Sequence, residues 1–423
     1  MKLTKITQYA AVFGLCAATA QAASNDALLD LLVEKGVLSK TEASAVAAEL
    51  KEENKGVAFS AKGKETVKLR FNGRMHFQYD SLDMDENGSD LASSNHFYFR
   101  RLRLGAKATH ESGIFAETVL DFAGDEEPEL GVDKAIAGYK FSDAFTGIVG
   151  YQKVPFGFQE TTSSSKIKTI ERSAANRFFA DDIDFAGRHT GLHAKGKLGS
   201  GFSYAAAVVN AAQGEGSRLL GESNSDNDMA VFGRLQWSGN GLTVGVDGGA
   251  QSNNTKVYTG REDDGDPATK GDLFGVNDVV AFTGYANYKF EGFDILGEYF
   301  TGDLDDAGDV DGYAIRVAYK LNDKFEPVFR YSHIKADKFE IDTDELIRRA
   351  PKGGTIGGLG DGETFAALAD EDNEIDSYYF GLNYYHNKAV SFMLGYEIAD
   401  AENGDGTDEA EVDGLRARLQ ILW

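Results

Sequence analysis

Cysteine is all but missing. Among 423 residues there is one, Cys16, near the N-terminus. Beyond it, a disulfide framework, a thiolate metal site and a cysteine nucleophile are excluded. Tryptophan is scarce, with 2, whereas Phe and Tyr number 28 and 18. No stretch reaches about 18 consecutive apolar residues, so spans of the helical kind are absent. That leaves barrels open, because membrane-crossing strands give only a weak hydropathy signal. The slightly negative mean hydropathy fits either case. Enzyme spacings are also missing: there is no G-x-S-x-G elbow and no H-E-x-x-H. The seven His are scattered. His189 and His193 stand four apart in what reads as a strand, a spacing that favours no metal pair there. Phosphate loops and nucleic-acid modules are not found. The expectation is a chain that is no enzyme, has no cofactor or resident metal, and binds no nucleic acid.

The first 22 residues read as an export signal. Lys2 and Lys5 give a positive start, Tyr9 to Thr19 an apolar core, and Ala20-Gln21-Ala22 an A-x-A site. Leu15 before Cys16 is too large for lipoprotein processing. Cleavage would remove the cysteine and two lysines, taking the net charge from -25 to -27. Residues 23–64 form a second region. Leu28, Leu29, Leu31 and Leu32 mark one short helix, and Ser39-Lys40-Thr41-Glu42 is a capping box opening another. Two such helices cannot bury their apolar faces alone. A periplasmic oligomerisation segment and a loosely ordered spacer are both open readings. Asn54 to Lys64 reads as a polar linker.

The stretch that organises the rest is Val67 to Asp80. Its odd positions are apolar or Gly and its even positions polar, Lys68, Arg70, Asn72, Arg74, His76 and Gln78 among them. A period of two over fourteen residues predicts a strand with one apolar and one wet face. It exceeds the roughly 9–11 residues a tilted strand needs to cross a bilayer. The pattern recurs at 96–109, 113–122, 132–141, 144–154, 187–197, 201–211 and 228–238. It continues at 241–252, 277–290, 293–303, 311–321, 324–336, 374–387, 388–400 and 411–423. That is about sixteen strands over residues 65–423, an even number as bacterial barrels require. Connections alternate between two or three residues and longer loops at 81–95, 123–131, 155–186, 212–227, 253–276, 304–310, 337–373 and 401–410. Tight turns at one end and long loops at the other are the outer-membrane pattern. The expected fold class is all-β, a transmembrane antiparallel β-barrel with a short N-terminal periplasmic helical segment. The chain ends Leu415, Ala417, Leu419, Ile421, Trp423 on alternate positions, resembling a barrel-assembly signal.

Charge is sorted by position. Acids cluster in loops, as at Asp303, Asp305, Asp306, Asp309 and Asp311. Bases take inward strand positions. Closure would place strands 411–423, 67–80 and 96–109 side by side. Arg70, Arg74, Arg101, Arg103, Arg416 and Arg418 would then form one cationic wall, with Lys107 nearby. Walls of Arg and Lys are what an anion pore uses, and the planar Arg fork suits a phosphate. Loop 155–186 adds Lys166, Lys168 and Arg172, and is net basic between Glu160 and Arg177. The plainer reading pairs each lumen base with an acid and gives no selectivity. The acidic loops match a calcium loop only loosely. Solvated acids bridged by divalent ions to lipopolysaccharide are the simpler account.

Several stretches resemble one known family, the phosphate-selective porin O/P family. Phe99 to Gly105 (FRRLRLG) is similar to its FRRARLG segment. Gly150 to Gly157 (GYQKVPFG), then Thr161 to Ser165 and Ile170-Glu171-Arg172-Ser173, resembles its GQFKTPFG…TSS…ERS signature. Gly187 to Gly191 and the helix around Leu32 to Gly36 also match. The resemblance implies a sixteen-stranded homotrimeric porin with an inward-folded third loop. On that basis the chain is expected in a Gram-negative outer membrane, among outer-membrane lipids and lipopolysaccharide. It would pass inorganic phosphate and other small anions through a pore lined by the residues named above. A general porin without phosphate preference is the alternative, ahead of an outer-membrane hydrolase or an adhesin.

Overall fold

The computed structural model describes residues 57–60, 66–123, 130–211, 229–254, 260–262, 272–274, 277–337, 341–342, 348, 355–356, 372–404, 406 and 409–423. The export signal and the expected helices lie outside the described residues.

Sixteen long strands follow one another round a closed sheet. They are β1 Thr66–Glu86, β2 Ser89–His110, β3 Ile114–Asp121, β4 Gly131–Lys140, β5 Thr146–Lys153 and β6 Arg188–Gly199. Next come β7 Phe202–Asn210, β8 Met229–Gly239, β9 Leu242–Asn254, β10 Asn277–Phe290 and β11 Phe293–Asp303. The last five are β12 Asp309–Tyr319, β13 Phe325–Asp337, β14 Asp372–Tyr385, β15 Val390–Asn403 and β16 Glu409–Leu422. Each bonds to the next, and β16 returns to β1 in a register from Arg74↔Leu422 to Glu86↔Ala410. Trp423 adds the last rung: its carbonyl accepts the Gly73 N–H at 2.8 Å and its N–H donates back at 3.2 Å. Closure leaves no exposed edge, the condition for a sheet in lipid.

The short strand Val57–Ser60 pairs with the first residues of β1, from Val57↔Leu69 to Ser60↔Thr66. The stretch read as a polar linker therefore holds a strand. Among the described residues, 57–60, 66–71 and 106–112 belong to one compact unit and the others to a second.

The tight turns expected between paired strands fall where the sequence puts them. Asn240 and Gly241, with φ of 50° and 80°, turn between β8 and β9 in the hand that matches strand twist. One expected long loop is not a loop. Residues 81–95 continue β1 and β2 as a ribbon that turns at Asn87-Gly88, with φ of 52° and 73°. Asn-Gly is the strongest short-range hairpin signal, and the dense Asp and Ser around it masked the alternation.

The outward face is apolar where lipid would touch it. Phe97, Val246 and Phe282 are all more than half exposed in the isolated chain. Near the tight turns the aromatics gather into a belt. Phe293 lies 4.4 Å from Tyr319, Tyr139 4.6 Å from Phe141 and Phe325 5.2 Å from Tyr384, centroid to centroid. Such girdles mark membrane interfaces.

The interior is not uniformly polar. In β1 the inward positions His76, Gln78 and Asp80 give way to Leu82 and Met84, both buried. In β16 the same face changes from Arg418 and Arg416 to Val412 and Ala410. The end away from the tight turns therefore encloses an apolar core. The chain between β5 and β6 fills it with Phe156, Phe178, Phe179, Ile183 and Phe185. Phe179 stacks on Phe300 of β11 at 5.6 Å, and Phe185 packs edge-on to Phe232 of β8 at 5.0 Å.

Candidate functional site

The inward loop carries two one-turn helices, α1 Phe158–Thr161 and α2 Ala174–Arg177, then a π-helical turn Phe178–Asp182. Gly157 leads into α1 at φ 77°, a conformation open to Gly. Ser173 caps α2 by accepting the Asn176 N–H at 3.3 Å. The barrel wall grips the loop's polar backbone. Asp247 of β9 accepts the Gly157 N–H at 2.9 Å. Glu298 of β11 accepts the Phe158 and Gln159 N–H groups at 2.5 and 3.2 Å. Asn383 donates to the Lys168 carbonyl at 2.9 Å, and Arg330 to the Glu171 carbonyl at 2.9 Å. The loop is fixed to the wall at several separate points.

Between this loop and strands β1 to β8 lies a cavity of about 690 Å³. Eleven Lys and Arg side chains line it against five Asp and Glu, a cationic surplus of six in a chain of net charge -25. The excess acid lies elsewhere. Arg74 faces the loop and donates from Nη1 to Ser164 at 2.5 Å and from Nη2 to Ser163 at 2.9 Å. Arg101 is 5 % exposed and lines the cavity. Its Nε and Nη1 have no hydrogen-bond acceptor among the described residues. Buried guanidinium N–H groups short of acceptors are costly.

The six arginines do not form one open wall. Arg74, Arg101 and Arg103 line the cavity, but Arg103 is tied to Asp121 at 2.6 Å and Asp133 at 2.7 Å. Arg416 is buried between Asp80 at 3.0 Å and Glu397 at 3.2 Å. Arg418 bonds Gln78 at 2.5 Å and the loop's Glu171 at 2.8 Å. Arg70, exposed, and Lys107, half-buried, belong to the other compact unit. Of the loop bases, Lys166 is exposed, and Lys168 pairs with Glu326 of β13 at 2.7 Å. Arg172 lines the cavity while holding the loop together, with Nε on the Gln159 carbonyl at 2.8 Å.

Glu160 and Glu171 are the loop's buried acids. Burial pushes both carboxyls up. For Glu160 that is outweighed by Arg172 and Lys153, and for Glu171 by Arg100 and Arg418. Both are held well below the ordinary carboxylate range.

Sequence reasoning missed Arg100, Lys153 and Arg188. Arg100 and Arg101 are adjacent, yet Arg100 bonds Glu171 at 3.0 Å while Arg101 also lines the cavity. Strict alternation breaks there, because Tyr98 and Arg100 lie on one phase and Arg101 and Arg103 on the other. The run Arg100-Arg101-Leu102-Arg103 was the available signal. Lys153 and Arg188 close β5 and open β6 beside the loop, where alternation is too short to assign a face. The inward acid Asp133, paired with Arg103 and Arg188, is the residue opposite the register shift between Val119 and Leu120.

Part of loop 337–373, expected outside, comes into the barrel. The Ile341–Asp342 pairing with Thr355–Ile356 lies against the π-helical turn and β15. The Arg348 carbonyl accepts from Arg416 at 2.7 Å.

A family model described as phosphate-selective porin O and P matches residues 69–423. The chain belongs to that family. Among solved structures this porin is similar to an anion-selective porin from Comamonas acidovorans, at TM-score 0.56 and 13 % identity. The match covers 84 % of this chain and 99 % of that one. A loop L8 deletion mutant of the Vibrio cholerae outer membrane protein OmpT gives 0.55 at 16 % identity, over 84 % and 99 % of the two chains. The outer membrane channel DcaP of Acinetobacter baumannii gives 0.53 at 12 %, over 87 % and 100 %. Those likenesses show the fold. An uncharacterized Aquifex aeolicus protein is 25 % identical over 365 residues, 74 % of this porin and 81 % of its own length. The protein is thus an outer-membrane porin, a channel built as a closed sixteen-stranded barrel.

Proposed function

We propose that this porin passes small anions by diffusion, phosphate foremost, through the narrow space between loop 155–186 and strands β1 to β8. The single observation that carries the reading is Arg101. Its guanidinium is buried and short of acceptors, and it lines the same cavity as Arg74 and the Ser163 and Ser164 hydroxyls that Arg74 holds. An oxyanion there gains charge-assisted bonds that chloride, a bare sphere, cannot match in number. The cationic surplus sits at the constriction, whereas the acidic loops stand near bulk water. Screening over roughly 8–10 Å at physiological ionic strength shortens the reach of those loops. The similar Comamonas porin is anion-selective, which supports the same direction. The protein is proposed to assemble as a homotrimer.

The test is the zero-current potential of the purified protein in a bilayer under a KCl gradient. Chloride should be favoured over potassium, and added phosphate should reduce the chloride current. Arg74→Ala combined with Arg101→Ala should weaken both effects, while Asp303→Asn with Asp305→Asn should leave them in place. A potassium-favouring potential in the unaltered protein would overturn the anion reading. Chloride preference without phosphate block would leave a general porin.

A further inference from the structure

The grip on the first turn of the inward loop is lopsided in charge. Two buried carboxylates, Asp247 and Glu298, hold three successive backbone N–H groups, those of Gly157, Phe158 and Gln159. One cation serves them. Arg234 of β8 is committed to Asp247, with Nε at 2.7 Å and Nη2 at 2.6 Å, and also donates to Thr161 Oγ1 at 2.9 Å. Glu298 is 3 % exposed and, among the described residues, forms no ion pair. The groups facing it are Asp247 from β9, Arg234 from β8, Tyr285 from β10, and from the loop the Phe158 and Gln159 N–H groups and the Gln159 side-chain amide. The Tyr285 ring is spent on Phe158 at 5.1 Å and on Arg234 at 5.4 Å.

We propose that Glu298 is the positioning residue of the constriction, and that the charge on its carboxylate makes the constriction acid-sensitive. As an anion, the carboxylate accepts Phe158 on one oxygen and Gln159 on the other. A proton taken up from the lumen water must sit on one of those oxygens. That oxygen then presents an O–H to an N–H, and the bond is lost. The remaining carbonyl oxygen is a weaker acceptor than a carboxylate. Asp247 resists the same change, because its two oxygens are bridged by Arg234. The start of α1 is then freed on the Glu298 side, and the Ser163 to Ser165 segment loses its fixed distance from Arg74. The inference needs a conducting pore but not an anion-preferring one, so failure of the zero-current test leaves it standing.

Single-channel recordings of the full-length protein between neutral pH and about pH 4, where ordinary carboxylates titrate, provide the test. The unaltered protein should show one conductance level at neutral pH and several sublevels in acid. Glu298→Gln, whose amide faces an N–H with an NH₂ on one side, should show sublevels throughout, with a flat pH profile. Phe158→Pro is the second variant, should Glu298→Gln fail to fold. It removes one donor at a helix position that tolerates Pro and leaves the carboxylate intact. It too should show sublevels at neutral pH. Asp294→Asn, which removes a wall acid paired with Arg316 at 2.5 Å, should keep the unaltered profile. A single conductance level down to pH 4, or an unaltered profile in Glu298→Gln or Phe158→Pro, would overturn the proposal.

Discussion

Arg418 donates to the Glu171 carboxylate at 2.8 Å and ties the last strand to a loop residue 247 positions earlier. Arg100 of β2 reaches the same carboxylate at 3.0 Å. One loop acid thus neutralises guanidinium groups from both sides of the closing seam. Arg418 is thereby committed to the architecture, whereas Arg101 lines the cavity.

Glu171→Gln should leave those arginines buried against a neutral amide. Removing one partner of a buried ion pair costs about 3–5 kcal/mol. The heat-induced mobility shift on a gel should occur at lower temperature. The pH dependence has a definite sign. Because the Glu171 carboxyl is held low in the fold, its contribution is complete above the ordinary Glu value near 4.3 and is lost as pH falls below it. The variant should therefore lose less stability on acidification than the unaltered protein. Equal acid sensitivity would contradict the pairing.

Gly150 adopts φ 121°, and a Cβ there would stand 2.2 Å from the Ala135 carbonyl oxygen across the β4–β5 pair. Gly150→Ala should displace that backbone and unfold the short β5. The measurement is the yield of heat-modifiable protein in outer membranes. Yield near the unaltered level would show that the pair yields to the methyl group.

Deleting Trp423 removes both seam bonds to Gly73 and the indole that covers it. Synthesis should continue while the protein stays unfolded and protease-sensitive in the periplasm. Trp423→Phe, which keeps the backbone rung and an aromatic end, should assemble. Normal assembly of the deletion would remove the C-terminal signal from the account.

A peptide tag inserted at Gly88, in the ribbon turn, should be labelled on intact cells, and one at Asn240 should not. Labelling in the opposite sense would invert the barrel.

Much of the barrel was legible in the chain. The sixteen strands follow from period-two alternation, and the tight turns from residues such as Asn240-Gly241, because both signals are local. The ribbon at 81–95 was misread as a loop although Asn87-Gly88 announced it, since Asp83, Asp85 and Asp90 obscured the apolar Leu82 and Met84 between them. Arg74, Arg101, Arg103 and Arg172 were identified and do line the cavity. Lys153 and Arg188 were not, because a strand end carries no alternation to place them.

What the sequence by itself determined is the barrel: strand number, order and the lipid-facing residues are written in periods of two. Which cations stand free, only the tertiary structure decided. Arg101 and Arg418 are alike on paper, each an inward arginine on an alternating strand. Glu171 hydrogen-bonds Arg418 and not Arg101, through a loop folded back into the lumen. That choice depends on contacts between residues hundreds of positions apart, fixed by the packing of Phe156, Phe178, Phe179 and Phe185 against the wall. No local pattern encodes it, because the apolar clustering that seats the loop is non-directional and forms only once the barrel has closed.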